Sequence, residues 1–427
     1  MEFDKKMFLF AASQIKAYKD VVLLRDSESD GCVDILYAPK AAQLRQCVHT
    51  MTVRLAASGS GLFDDGSPAG KLNKPVLIYL NRAKQIVLKA DVCVFEDGRI
   101  NGIPVAVDGS DSSCHPLATT LAELRDVYSS RIEAFRKSPA TLDMGRDDWA
   151  YAVSECAKFE SSDPHREFMN GTCFDFYGGG AGFVNIVATD GRKLILLGKA
   201  VFQKGASTEK DTFIVPTGYL LAPDSGCLSV RIQFFGGLGR VAIRAEDCLF
   251  ESLFVLAEGN FPNYRKVIPE ITDKTQWFTL CASSFTDAVN SVKSFMDIRG
   301  DTPKDVIHIN AEDPKKPAIV SVNETQTNIA VKGEASRPMR LSYKWEHLSP
   351  SLFDGLPLTK FYLDGSKKAT LVLAGGGKVK KGLTLDIVKV LMPVGEDIPG
   401  EDEFRIPKAA DEGADIQGGD YENNRRG

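Results

Sequence analysis

Short runs of β-branched, aliphatic and aromatic residues recur along the chain between Gly, Asp and Asn turns. They occupy 75–80, 85–95, 183–188, 194–197, 229–235, 240–245, 249–256, 306–310, 318–322, 328–332 and 384–392. Most alternate or are apolar throughout, the pattern of half-buried or sandwiched strands. Gly178–Gly180, Gly236–Gly239 and Gly375–Gly377 separate such runs. A few stretches follow the helical period instead. Asp147–Phe159 sets Trp149, Val153 and Cys156 on one face behind an acidic first turn that suits the helix dipole. Ser283–Met296 does the same with Phe285, Ala288, Val289, Val292 and Phe295. Leu117–Phe135 is the longest, with Leu117, Leu121, Leu124, Tyr128, Ile132 and Phe135 in register. Gln14–Val22 and Ala41–His49 are candidate shorter helices. Many strands with few amphipathic helices predict an α+β fold.

Two of these helices repeat a signature. Trp149-x-x-Ala152-Val153-x-x-Cys156-x-x-Phe159 aligns without gaps on Phe285-x-x-Ala288-Val289-x-x-Val292-x-x-Phe295, 136 residues later. A period this long points to duplicated domains rather than a solenoid. No copy is read in the first third of the chain. The length of 427 residues agrees, since single cores stop growing near ~250–300 residues. Residues 395–427 change character: ten Asp or Glu face four Lys or Arg, with few apolar residues. Such a segment cannot offset its ordering entropy by burial, so a disordered acidic tail is expected there. Ser58–Lys74, rich in Gly, Ser and Asp, reads as a loop or insertion.

Composition narrows the class. No apolar run approaches the ~18 residues of a membrane helix, and the first residues lack a secretory pattern. Nine widely spaced cysteines without a CxxC pair suit a reduced, cytoplasmic protein rather than a disulfide framework or zinc ribbon. With 52 basic and 57 acidic residues, net charge alone argues against a nucleic-acid partner. The tail carries most of that excess. Without it, 48 basic residues stand against 47 acidic ones.

Catalytic patterns are not found. His49, His115, His165, His308 and His347 are scattered without metal-ligand spacing. His165, in Asp163-Pro-His-Arg-Glu167, reads as a polar loop residue before it reads as a base. Ala374-Gly-Gly-Gly-Lys378 lacks the spacing of a phosphate loop and reads as a hairpin turn. Gly236-Gly-Leu-Gly239 has no helix N-terminus to receive a phosphate. No enzyme, cofactor or metal is expected on this reading.

Three segments are more specific: Val187-Ala-Thr-Asp-Gly-Arg-Lys-Leu194 preceded by Phe168-Met-Asn-Gly171, then Glu258-Gly-Asn-Phe-Pro-Asn-Tyr-Arg-Lys-Val-Ile-Pro269, then Val390-Leu-Met-Pro-Val394. As structure, Asp190-Gly191 is a tight turn, and Phe261-Pro262 ends a strand because proline cannot donate to a ladder. In order and spacing the three resemble the bacterial β sliding clamp, the processivity subunit of DNA polymerase III. The match is good over 147–270, fair over 275–394, and general over 1–140.

The resemblance implies three tandem clamp domains, helices towards a central channel and sheets outside, at 1–142, 143–272 and 273–394. It implies a head-to-tail homodimeric ring around double-stranded DNA, held without sequence-specific contacts. It also implies a pocket for short hydrophobic peptides of DNA polymerase and clamp-loader subunits. By position that pocket comprises Met169, Thr189, Gly191, Arg192, Lys193, Leu194, Pro262, Lys266, Val267, Val390, Met392, Pro393 and Val394. A mostly aliphatic lining with a Met suits varied peptides. Arg192-Lys193 replaces the family's usual His-Arg, and Lys266 a usual Arg, which keeps charge but loses the planar fork. A ring needs only weak, mobile phosphate contacts, for which Lys16, Lys19, Lys158, Lys293 and Lys344 are the candidates. The helix at 117–136 and the tail depart from the family, and Phe404 in the tail is a candidate mimic of a partner peptide. A clamp-fold interaction module that does not encircle DNA is the alternative reading.

Overall fold

The computed structural model describes residues 2–3, 5–15, 21–26, 32–38, 47–54, 75–90, 93–96, 98–107, 123, 126, 130, 135, 138, 140–177, 182–201, 211–220, 227–245, 248–268, 275–281, 284–288, 290–291, 294, 306–311, 317–322, 329–331, 333–336, 338–344, 358–363, 371–375 and 385–391. The expected loop at 58–74 and the expected tail at 395–427 lie outside them.

One element order recurs three times: strand, helix, four strands, a connection, three strands. The first unit runs β1 (Glu2–Phe3), α1 (Lys5–Gln14), β2 (Val21–Asp26), β3 (Cys32–Tyr37), β4 (Cys47–Arg54), β5 (Val76–Tyr79), α2 (Leu80–Lys89), β6 (Cys93–Glu96), β7 (Arg99–Ile100) and β8 (Ile103–Pro104). The second runs β9 (Thr141–Met144), α3 (Arg146–Cys156), β10 (Gly171–Tyr177), β11 (Gly182–Thr189), β12 (Lys193–Val201), β13 (Asp211–Pro216), β14 (Cys227–Phe235), β15 (Leu238–Ala245) and β16 (Cys248–Val255). The third opens with β17 (Gln276–Cys281) and helical residues at 284–288, 290, 291 and 294. It continues with β18 (Val306–Ala311), β19 (Ala318–Val322), β20 (Ile329–Val331), a short extra β21 (Gly333–Ala335), β22 (Met339–Lys344), β23 (Leu358–Leu363), β24 (Leu371–Gly375) and β25 (Asp386–Leu391).

The strands form four antiparallel sheets, and two of these cross from unit to unit. The first half of unit one joins the second half of unit two in the order β5-β2-β3-β4-β16-β15-β14-β9. The first half of unit two joins the second half of unit three as β13-β10-β11-β12-β25-β24-β23-β17-β21. The joining ladders are β4 with β16 (Val53 opposite Cys248 to Cys47 opposite Phe254) and β12 with β25 (Lys193 opposite Leu391 to Gly198 opposite Asp386). Two halves are left over, β1-β6-β7-β8 and β20-β19-β18-β22.

Apolar alternation explains the sheets, and helical spacing fills the space behind them. In α3, Trp149, Ala152 and Cys156 are buried, and in the third unit Phe285 and Ala288 are. Helix α1 buries Phe8, Ala11, Ala12 and Ile15, the same spacing. The third copy of the repeat is therefore Phe8-x-x-Ala11-Ala12-x-x-Ile15-x-x-Tyr18, present in the sequence after all. Candidate helix Gln14–Val22 is corrected accordingly, because the helix precedes it and Val21 already belongs to β2. Candidate helix Ala41–His49 is corrected at its end, since β4 begins at Cys47, and 41–46 lie outside the described residues.

The run 85–95, read as one strand, is helix as far as Lys89 and strand only from Cys93. Leu80, Ala83 and Val87 form its buried stripe. The β-branched pair Ile86-Val87 weighs less than that spacing, because packing overrides propensity. Of the helix expected at 117–135, Glu123, Asp126, Ser130 and Phe135 are described; Ser130 lies in a turn and the other three are helical. Phe135 is buried and its carbonyl accepts a bond from Gln233 Nε2 at 2.7 Å. Gly236 and Gly237 have φ of 55° and 78° and turn β14 into β15, as a two-residue hairpin requires.

Candidate functional site

The β11–β12 turn is built by its own side chains. Asp190 Oδ1 accepts from the backbone N–H groups of Arg192 and Lys193, both at 2.8 Å. Thr189 Oγ1 donates to Lys193 O at 2.8 Å and accepts from Gly191 N at 3.0 Å. Gly191 has φ +88°, where a side chain would be strained. A Cβ there would also stand 3.3 Å from Arg166 Nη1 and 3.9 Å from Met169 Cε. Thr189 and Met169 are buried, whereas Arg192 is exposed and Lys193 lies 3.8 Å from Asp190.

This turn delivers Leu194 opposite Val390 of β25. Cys173, Val187, Leu194, Tyr264 and Val390 form one apolar cluster on the outer face of the nine-stranded sheet. Half-buried Leu196, Phe261, Val267, Ile268, Tyr362 and Val388 pack against it and leave apolar surface in contact with water. Residues 261–268 lie across this face as an irregular segment with a 3-10 turn at Tyr264–Lys266.

A buried polar network anchors that segment. Tyr264 donates its hydroxyl to Asp175 Oδ2 at 2.6 Å and accepts from Asn185 Nδ2 at 2.8 Å. Arg265 reaches the same carboxylate oxygen at 2.8 Å and stacks 4.6 Å from the Tyr177 ring. Burial first, and the bond to Asp175 second, push the Tyr264 phenol well above its ordinary range. Burial likewise pushes the Cys173 thiol up, so it serves as an apolar group.

The structure thus brings Leu194, Val267 and Val390 into one cluster, with Thr189, Gly191, Arg192 and Lys193 in the adjoining turn and Met169 beneath it. Pro262 is half-buried and Lys266 exposed on the covering segment. Met392, Pro393 and Val394 lie outside the described residues. Cys173, Val187, Leu196, Phe261, Ile268, Tyr362 and Val388 were not foreseen. Alternation along β12 and β25 signals Leu196 and Val388, but nothing local signals Tyr362.

The basic candidates are less coherent. Lys16, Lys19 and Lys293 lie outside the described residues, and Lys344 ends strand β22. Lys158 is ion-paired with Glu155, whose other oxygen holds buried Lys389 at 2.7 Å. Asp148 is likewise held by Lys199 at 2.6 Å. Two of the acidic side chains of α3 therefore face inward to strand lysines.

A basic face unforeseen from sequence lies on α2, where exposed Arg82 and Lys89 are seven positions apart on one side, while half-buried Lys84 lies on the other flank. Neither α2 nor the neighbouring α1 contains an acidic residue. Lys5 of α1 caps α2 by donating to Leu88 O at 3.2 Å and Ala90 O at 2.7 Å. His165 is an exposed loop residue whose backbone N–H bonds Asp163 Oδ1 at 2.9 Å.

Among the described residues, no helix is long and apolar enough to cross a membrane. Cys32, Cys47, Cys93, Cys156 and Cys173 are free thiols.

No family model and no curated protein sequence matches the chain. Solved structures do. A DNA polymerase sliding clamp from Bacillus subtilis superposes with a TM-score of 0.66 at 13% identity, covering 92% of this chain and 98% of that one. The DNA polymerase III subunit beta of Bartonella birtlesii, solved bound to griselimycin, gives 0.62 at 15%, covering 92% and 99%. The beta subunit of Thermotoga maritima gives 0.60 at 12%, covering 92% and 96%. The fold is that of the sliding clamps, as the three sequence motifs implied.

Proposed function

We propose that the chain is a sliding clamp that closes head-to-tail into a ring around duplex DNA and tethers partner proteins through the apolar groove beside Leu194 and Val390. Its domains are 1–142, 143–272 and 273–394, and its role is non-catalytic. The pairing rule of the sheets carries this reading. In both joined sheets, the third strand after the helix, β4 or β12, pairs with the last strand of the following unit, β16 or β25. Among the described residues, the same rule leaves the β20 and β8 edges unpaired. Pairing β20 of one copy with β8 of another satisfies both, and repetition of such a head-to-tail contact closes a ring. Ile103 of β8 is 46% exposed, an apolar residue at that open edge.

Duplex DNA is the ligand that a ring with basic inner helices would hold. The face made by Arg82 and Lys89 would supply sequence-independent phosphate contacts, and Lys16, Lys19, Lys158, Lys293 and Lys344 would extend it. A short hydrophobic peptide would lie on half-buried Leu196, Val267 and Val388 above buried Leu194 and Val390, with Met169 and Thr189 supporting the turn, Gly191 shaping it and Pro262 fixing the covering segment. Arg192, Lys193 and Lys266 form its basic rim, and Met392, Pro393 and Val394 complete it. DNA polymerase and clamp-loader subunits are the partners of this kind.

The test is retention on DNA of two topologies. A ring loaded on nicked circular DNA should persist through gel filtration and be lost when the circle is linearised. Equal loss from both forms would contradict encirclement. It would support the second reading, a peptide-binding module with a clamp fold, which the engagement of Lys158 with Glu155 favours.

A further inference from the structure

We infer that the C-terminal segment of the chain is itself a ligand of this groove, with Phe404 and Ile406 entering it and the preceding acidic residues meeting the basic rim. This rests on the proposed peptide site and adds a regulator to it.

Position comes first. Strand β25 ends at Leu391, opposite Lys193 and one position from the Leu194–Val390 pair in the floor of the groove. Everything after residue 391 is therefore tethered at the groove. Phe404 stands 13 positions beyond Leu391 (404 − 391). At ~3.3 Å per residue that chain reaches about 40 Å, while the strands beneath the groove are only ~4.8 Å apart. The segment can double back without strain.

Composition comes second. The segment 401–406 reads Glu-Asp-Glu-Phe-Arg-Ile. In an extended chain Phe404 and Ile406 point to the same side and Arg405 to the other. An aromatic and a β-branched side chain on one side suit the half-buried apolar surface of Leu196, Val267 and Val388, which overlies buried Leu194 and Val390. The three carboxylates of Glu401, Asp402 and Glu403 complement exposed Arg192 and Lys266, next to Arg265, which already holds Asp175. Charge and shape thus select the same short stretch.

Tethering makes a weak contact count. A short tether presents its ligand at an effective concentration near millimolar, so a segment with an intrinsic Kd of about 100 μM would weaken competing peptides roughly tenfold.

The experiment compares the full-length chain with its Phe404→Ala/Ile406→Ala variant, titrating each with a fluorescent pentapeptide rich in Leu and Phe. The variant should bind roughly tenfold more tightly, and the gap should narrow in high salt. Equal affinity in both would overturn the inference while leaving the groove itself intact. A second full-length variant, Phe404→p-benzoylphenylalanine, is irradiated and mapped by mass spectrometry. Cross-links within one chain to 261–268 or 388–391 support the inference. Cross-links only between chains, or only elsewhere, overturn it. If the pentapeptide binds neither chain but the cross-link lands in the groove, the inference stands and the proposed external peptide partner falls.

Discussion

Glu155 of α3 and Lys389 of β25 meet at 2.7 Å, with only 6% and 1% of their side chains exposed. Removing two charges from water is costly, and the pair persists because each supplies the other's partner. Lys158 takes the second carboxylate oxygen, so one buried anion joins the helix to a strand of the groove floor. The Glu155→Ala variant should lose about 3–5 kcal/mol in urea denaturation, because buried Lys389 then loses the carboxylate that holds its ammonium group. The double variant Glu155→Met/Lys389→Met should recover most of that loss. A single variant as stable as the parent would show that the pair is not buried in solution.

Tyr264 is the hub of the segment 261–268 that packs on the Leu194–Val390 cluster. The Tyr264→Phe substitution removes a donor to Asp175 and an acceptor from Asn185 while keeping the ring. A cost of about 1–3 kcal/mol is expected, as for any buried group left unpaired. Binding of a hydrophobic peptide should weaken as well, since residues 261–268 lose their anchor. Unchanged denaturation and peptide binding would contradict this role.

The joint between β4 and β16 contains a buried histidine. His49 faces Tyr37, with ring centroids 5.2 Å apart, and lies 3.8 Å from Cys47 Sγ. Cys47 in turn lies 3.8 Å from Ser252 Oγ. Burial lowers the His49 pKa to about 3, and its Nδ1 finds no hydrogen-bond partner among the described residues. The folded chain therefore resists the proton that the unfolded chain accepts below pH ~6.5. This contribution to stability is complete above that pH and is lost as pH falls towards about 3. Between pH 8 and pH 5, above most carboxylate titration, His49 should account for about 2 kcal/mol of lost stability. The His49→Leu variant should show a correspondingly flatter pH profile. An identical profile would contradict burial of the neutral ring.

Helix α2 offers the sharpest test of the proposed DNA-facing surface. The Arg82→Glu/Lys89→Glu variant should bind duplex DNA more weakly and lower the slope of log K against log salt by about 2, roughly one per lost phosphate contact. Sequence preference should not change, because phosphate contacts carry none. An unchanged slope would place the DNA elsewhere on the molecule.

Most strands were legible from alternation, and the Asp190–Gly191 turn from its residue types, because both are dictated within a few residues. The α2 face escaped notice because Ile86 and Val87 resemble a strand start, and the stripe Leu80–Ala83–Val87 that outweighs them needs a partner helix to be recognised. The N-terminal copy of the repeat escaped because Phe8 and Ile15 replace Trp149 and Cys156 at corresponding positions. The acidic residues of α3 seemed to oppose a DNA-facing role. Asp148 and Glu155 are instead neutralised by Lys199 and Lys389, which lie 51 and 234 residues away in sequence. No local pattern contains such pairings. Leu194, Val267 and Val390 were placed by motif, whereas Tyr362 reaches the groove only through the ladder from β25 to β24 to β23.

The proposed closure of two chains into a ring fixes the molecular mass in solution. The edges open at β8 and β20 among the described residues would be filled by a second copy, so light scattering of the full chain should give twice the 46.6 kDa of one chain. The same mass should persist on dilution through the micromolar range. A monomer of 46.6 kDa, with both edges open, would contradict the account.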